Sequence, residues 1–290
     1  MLFDSHAHFN NDTFAKEDWE TMIAATQEAV DDGRMSFCMD IGYDATSSAV
    51  AAEHAASYPW CYAAVGCHPH DTKDMTEEKL EQIRQLAAQP KVMAIGEIGL
   101  DYFYDRSERD IQREWFRRQV RLANELRMPI AIHSREATQE TKEILLEEGA
   151  FNDERKSWFP KRPDTTGFVT GEGVPAEIPD ARVLIHCFSG SAETAVEYIK
   201  MGATIGICGP VTYKNNRKTI AVVEAVPLDF LLVETDSPYL APVPMRGKMN
   251  MPPYVEYTAR KVAEIKGISF EEVAARTCEN AKRFYGIGDL

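Results

Sequence analysis

A closed (β/α)8 TIM barrel in a single α/β domain is the fold class this sequence predicts, on three observations. Eight short apolar runs alternate with longer amphipathic stretches, the mark of βα units and a parallel sheet. Eight such units fit a barrel, which typically occupies about 250 residues, into a chain of 290. No GxGxxG turn follows the first strand, which counts against the rival doubly wound open sheet.

The elements follow in order. Strands are expected at Met1–His6, Met35–Gly42, Cys61–Gly66, Val92–Glu97, Pro129–His133, Val183–Cys187, Ala203–Ile207 and Phe230–Thr235. Helices read most clearly at Glu17–Ala29, Thr76–Ala88, Glu108–Leu126, Ala137–Glu148 and Ala192–Met201. Two more follow the eighth strand, near Pro253–Lys266 and at Ser269–Tyr285. Ser269 with Glu272 three residues on forms a capping box. The rhythm breaks at about 150–181, where Pro160, Pro163, Gly167, Gly171, Gly173, Pro175 and Pro179 crowd together. This is expected to be an irregular insertion in the one domain 1–290. Because it joins a helix to a strand, it should start on the face opposite the chemistry.

Composition narrows the class further. At 44% hydrophobic and 27% charged residues, with 17 Gly and 15 Pro, the chain reads as globular and is neither collagen-like nor low-complexity. No run approaches the roughly 18 apolar residues of a membrane span. The opening Met-Leu-Phe-Asp-Ser-His lacks the basic and apolar regions of a signal peptide. A cytoplasmic location is the expectation, with no membrane association and no obligatory protein partner. Six cysteines without CxxC or zinc-finger spacing read as reduced thiols. The net charge of −14 argues against wrapping duplex nucleic acid, which needs a basic face. It leaves room for an enzyme that grips one phosphate beside bound metal.

The histidines carry the most information. His6 and His8 end strand one, His68 follows strand three, His133 ends strand five and His186 ends strand six. Glu97 ends strand four and Asp236 follows strand eight, whereas His54 (on a helix) and His70 have no clear place. A histidine at a strand end is ordinarily a hydrogen-bonded core or loop residue. Here His6, His8, Glu97, His133, His186 and Asp236 all fall at the ends that converge on a barrel's mouth. Imidazole and carboxylate together suit divalent metals. Six donors exceed the needs of one zinc ion with an open position. Two ions about 3.5–4 Å apart, sharing a carboxylate, would use them all, and hydrolysis is the chemistry such a pair serves. Glu234 faces the same way as Asp236 and is expected to brace a ligand or hold a cation. Asp4 and Asp101 are candidates for the same role.

The segments Asp4–His8 (DSHAH), Gly66–Asp71 (GCHPHD), Gly96–Tyr102 (GEIGLDY), Ile132–Ala137 (IHSREA), His186–Gly190 (HCFSG), Glu234–Pro242 (ETDSPYLAP) and Arg246–Asn250 (RGKMN) resemble, in order, the TatD family of metal-dependent hydrolases. The resemblance implies an amidohydrolase-like barrel that hydrolyses phosphodiesters with divalent metal, typically as a DNase. Carried over position by position, His6, His8 and Asp236 match the ligands of one metal, and His133 and His186 those of the other. Glu97 matches the bridging carboxylate; several related barrel hydrolases hold a carboxylated lysine there instead. His68 and Arg135 resemble groups that touch substrate phosphate, and Lys214 in Tyr213-Lys214-Asn215 is a further candidate. Asp236 is also the candidate proton acceptor.

The expected function is a two-metal deoxyribonuclease of the 3′–5′ exonuclease type, with two divalent ions (Mg, Mn or Zn) as cofactors and DNA or another phosphodiester as partner. The alternatives are hydrolysis of another ester, phosphoester or amide on the same site, and a non-catalytic metal-dependent binding protein. Only the 150–181 segment departs from the family's compact pattern.

Overall fold

The computed structural model describes residues 1–10 and 15–288. The domain expected over 1–290 therefore includes six positions, 11–14 and 289–290, that lie outside the described residues. In chain order the elements are β1 (Leu2–Ala7), α1 (Lys16–Asp31), β2 (Met35–Ile41), α2 (Ala45–Ser57), β3 (Cys61–Val65), α3 (Glu77–Ala87), β4 (Val92–Asp101), α4 (Arg109–Leu126), β5 (Ile130–Arg135) and α5 (Thr138–Glu147). Then come α6 (Asp153–Ser157), β6 (Arg162–Asp164), β7 (Ala176–Ile178), β8 (Val183–Ile185), α7 (Ala192–Met201), β9 (Ala203–Ile207), α8 (Arg217–Ala225), β10 (Leu231–Val233), α9 (Val255–Lys266) and α10 (Phe270–Tyr285). Among the described residues, no helix is long and apolar enough to cross a membrane.

Eight strands form one sheet in the order β1-β2-β3-β4-β5-β8-β9-β10, and every neighbouring pair is parallel. The ring closes just beyond β10. Asp236 N donates to His6 O at 2.9 Å and His8 N to Ser237 O at 2.8 Å. Asp4 reinforces the seam by accepting from Thr235 N at 2.9 Å and Thr235 Oγ1 at 2.5 Å. The sheet is therefore the barrel that the alternation of elements predicts.

Two apolar layers follow from strand alternation. Side chains such as Val65, Ile95, Ile130 and Ile205 pack outward against the helices. Phe3, Met39, Ile41, Leu184 and Leu232 form a second cluster with Phe284 and Tyr285 of α10. Tyr285 Oη donates to Ser5 O at 2.9 Å. The last helix thus plugs one end of the barrel and leaves the other to polar groups.

Some elements differ from expectation. α2 and α8 are additional helices. The first, Ala-Ser-rich, shows little hydrophobic contrast; it buries Ala51, Ala52 and Ala55 against the sheet and is capped by Asp44, which accepts from Ser47 N at 2.7 Å. β4 runs on to Asp101, with its register against β5 shifting between Ile95 and Ile98. Conversely, β8 stops at Ile185 and β10 at Val233, so His186 and Asp236 sit beyond regular strand.

The 150–181 segment is also more regular than its composition implies, with α6 and the antiparallel pair β6–β7. Two arginines explain this order. Arg155, fully buried, donates to Ala181 O (2.8 Å), Asn124 Oδ1 (2.7 Å) and Met128 O (2.8 Å). Arg162, equally buried, donates to Ala203 O at 2.8 Å and Thr204 Oγ1 at 3.1 Å, with Asp180 Oδ1 at 3.8 Å. These partners lie before β5 and at the start of β9. The segment therefore packs under the N-terminal ends of the strands, away from the histidines.

Candidate metal centre

The sequence-predicted donors meet at the C-terminal end of the barrel, and the strands account for how. Register between β1 and β2 breaks between Asp4 and Ala7; His6 lies within that break and His8 just beyond it, and both turn into the ring. His8 Nδ1 lies 2.8 Å from Ile41 O, which fixes the proton on Nδ1 and leaves Nε2 free to ligate.

Glu97 stands at the centre, almost fully buried, and its two oxygens serve two groups. Oε2 lies 3.2 Å from His6 Nε2 and 3.6 Å from His8 Nε2. Oε1 lies 2.7 Å from His133 Nδ1 and 3.8 Å from both His68 Nε2 and His186 Nε2. Asp236 Oδ1 joins the set at 3.5 Å from His8 Nε2, 3.5 Å from His186 Nε2 and 4.0 Å from His6 Nε2. Asp236 and Cys187 hold positive φ, +57° and +43°, a backbone form that L-residues adopt at a cost and that concentrates at functional sites.

The bracing residues divide. Glu234, fully buried, accepts from Cys187 N at 2.5 Å and Cys208 Sγ at 3.3 Å. His186 Nδ1 lies 2.9 Å from Glu234 Oε1, an ion-pair separation that is off the hydrogen-bonding axis, since Nδ1 has no aligned acceptor. Asp101 Oδ2 lies 3.0 Å from both His133 Nε2 and His70 Nε2. Asp4 instead accepts from His6 N at 3.3 Å and from Thr235; it holds the seam and none of the candidate ligand side chains. His70, which strand order does not place, belongs to the cluster through Asp101; its signal in the sequence is the segment GCHPHD that carries it.

Above the cluster opens a cavity of about 600 Å³ whose wall includes His8, His68, His133, His186, Glu97 and Asp236, with Tyr43, Tyr104, Arg106, Arg135 and Tyr239. His68 sits in its floor beside Glu97, deeper than a residue of the outer mouth. Arg135 is on the wall. Lys214 is exposed and is not part of that wall. The turn Gly209–Thr212 and the bond from Tyr213 Oη to Ala241 O (3.0 Å) settle this loop against the segment after β10.

Electrostatics set the protonation states. Burial alone would raise the Glu97 carboxyl, but the charges of His6, His186 and His68 and the hydrogen bond with His133 outweigh it and hold it well below the carboxylate range. Asp236 is lowered for the same reason: burial opposes, while hydrogen bonds with His186 and His8 prevail. His133 moves the other way, to about 9, because its bonds to Asp101 and Glu97 outweigh burial. The site thus concentrates carboxylate charge among imidazoles.

A divalent cation fits this donor set. Among the described residues four groups, His6–His8–Glu97, His6–His186–Glu234, His68–Glu97–His133 and His186–Cys187–Asp236, each place their donor atoms within 4.8 Å of one another. His6 and His186 stack at 3.4 Å between ring centroids, a contact that disfavours charging both rings. His6 Nδ1 is buried with no hydrogen-bond partner. Ligation requires neutral imidazoles, so a cation binding here displaces the proton that the carboxylates otherwise hold on His133.

A closed parallel barrel with imidazole and carboxylate donors gathered at the C-terminal mouth defines a barrel metallohydrolase. The comparisons resolve that class further: residues 3–286 match the TatD related DNase family, and the chain belongs to it as a metal-dependent hydrolase. It is 43% identical over 287 residues to YabD, an uncharacterized metal-dependent hydrolase of Bacillus subtilis, covering 99% of this chain and all of that one. It is 30% identical over 293 residues to a protein of Citrobacter rodentium named 3′-5′ ssDNA/RNA exonuclease TatD, covering 99% and 98% of the two chains. The crystal structure of YjjV, a TatD homologue of Escherichia coli, superposes with a TM-score of 0.80 at 25% identity, covering 99% of this chain and 98% of that one.

Proposed function

We propose that this hydrolase cleaves phosphodiester bonds of nucleic acid, as a deoxyribonuclease that removes nucleotides from the 3′ ends of strands. The observation that carries the proposal is Glu97, with one oxygen toward His6 and His8 and the other toward His133, His68 and His186, at the floor of an open cavity. A carboxylate so placed suits two cations, and paired cations suit in-line displacement at phosphorus. His6, His8 and Asp236 would hold one, His133 and His186 the other, and Glu97 both. Cations held there would supply Lewis-acid charge at the phosphoryl group and make water a better nucleophile.

The chain's own groups do the rest. Asp236, the more exposed of the two carboxylates, orients the attacking water and takes up its proton. Arg135 and Arg106 on the wall meet phosphate charge. Glu234 holds His186, and Asp101 holds His133, in place.

The name of the Citrobacter relative supports the nuclease reading over other esterase chemistry. The test is a panel of apo-protein with Mg²⁺, Mn²⁺, Co²⁺ or Zn²⁺ against single- and double-stranded DNA, RNA and simple esters. Metal-dependent shortening of DNA from its 3′ end is expected. Hydrolysis of simple esters with every nucleic acid untouched would overturn the proposal.

A further inference from the structure

Phe103 and Tyr104 are 52% and 49% exposed on the loop that follows β4. Burial does not hold them, so something else must fix their position, and it is the backbone. Asp101 Oδ1 accepts from Phe103 N at 3.0 Å and Tyr104 N at 2.8 Å, while its Oδ2 lies 3.0 Å from His133 Nε2. Tyr102 N donates to Arg135 O at 2.9 Å. One carboxylate therefore ties the backbone of both residues to the metal-capable cluster, and the two rings meet edge to face, centroids 4.9 Å apart and planes at 85°, so one offers its face and the other its edge. The Arg135 guanidinium lies over both rings, 4.2 Å from the Phe103 centroid and 4.7 Å from that of Tyr104. Tyr104 and Arg135 both line the cavity.

Exposed aromatic rings beside arginine, held at a fixed distance from a hydrolytic centre, have the chemistry of a base-stacking platform. Every nucleobase has a flat π-face, and the adjacent guanidinium meets phosphate. Resting on the nuclease reading above, we propose that Phe103 and Tyr104 are specificity-determining residues that stack the terminal, unpaired nucleobase and so set the scissile phosphate over Glu97. A base still paired in a duplex has no free face for this platform, so the enzyme reads whether the strand end is open.

The experiment uses the full chain loaded with Mg²⁺ or Mn²⁺. The substrates are a short oligothymidylate and the same oligonucleotide with an abasic 3′ residue, each followed for binding by fluorescence anisotropy and for cleavage. Phe103→Ala and Tyr104→Ala are expected to raise Kd and KM for the oligothymidylate about 5- to 150-fold, the worth of one stacked base. The abasic substrate should show little of this penalty, and Phe103→Trp, which keeps a ring, should restore the loss. Equal penalties on both substrates, with kcat or folding impaired, would overturn the platform while leaving the nuclease reading intact. A wild-type enzyme that neither binds nor cleaves either oligonucleotide, yet hydrolyses simple esters, overturns both.

Discussion

Because Glu97 faces both groups of imidazoles, Glu97→Ala is expected to lose both cations, whereas His133→Ala loses mainly one; metal analysis per folded chain distinguishes them. Asp236→Asn keeps an oxygen that can coordinate but loses the proton acceptor, so turnover should fall about 10²–10⁴-fold with metal retained. Full recovery of kcat at saturating metal would reduce Asp236 to a ligand. Away from the site, His54 lies 2.7 Å from Asp40. Burial would lower this imidazole, but the hydrogen bond to Asp40 and its charge raise it above the usual value. Stability from the pair is then fully present below pH of about 6.5, the unfolded value, and is lost as pH rises through the raised pKa. The cost of His54→Gln, read by denaturant unfolding, should shrink between pH 6 and alkaline pH. Residues such as His6 and Glu97 were legible in sequence because a strand end fixes where a side chain goes. Arg155 and Arg162 were not, since an arginine in a Pro- and Gly-rich stretch reads as a solvated charge until its buried carbonyl partners are known. For Lys214, order along the chain says which end of the barrel a loop occupies, but not whether its side chain reaches the cavity.

At the scale of elements, the 150–181 segment behaves as a brace. Replacing 152–179 with a short Gly/Ser linker removes the donors that Arg155 and Arg162 give to Ala181, Met128 and Ala203. Each buried carbonyl left without a donor costs about 1–3 kcal/mol, so a clear fall in Tm is expected. Turnover per folded, metal-loaded chain should hold, because the contacts lie under the opposite end of the barrel; a large loss of kcat would place the segment at the mouth. The eight strands were readable because each is a short apolar run with breakers on either side. α2 escaped because Ala and Ser give it almost no contrast between faces; its fit depends on the close approach that small side chains allow, and that is tertiary information.

For the molecule as a whole, the seam between β1 and the end of β10 is both a structural closure and a wall of the site. Thr235→Val removes one donor to buried Asp4 and should cost about 1–3 kcal/mol. Cation affinity should weaken with it, because His6 and Asp236 share a backbone bond across the same seam. Chemical denaturation and metal titration of one variant test both halves. Unchanged affinity in a destabilised protein would separate closure from ligation.

That seam also has a bearing on synthesis. His6, His8, Glu97, His133 and His186 all precede the residues that lock the ring, Thr235 to Ser237. A growing chain therefore exposes five of its six candidate donors before it can fix their spacing. Asp236, the sixth, comes into place only with that closure, so the donor set is complete only once the last strand has docked.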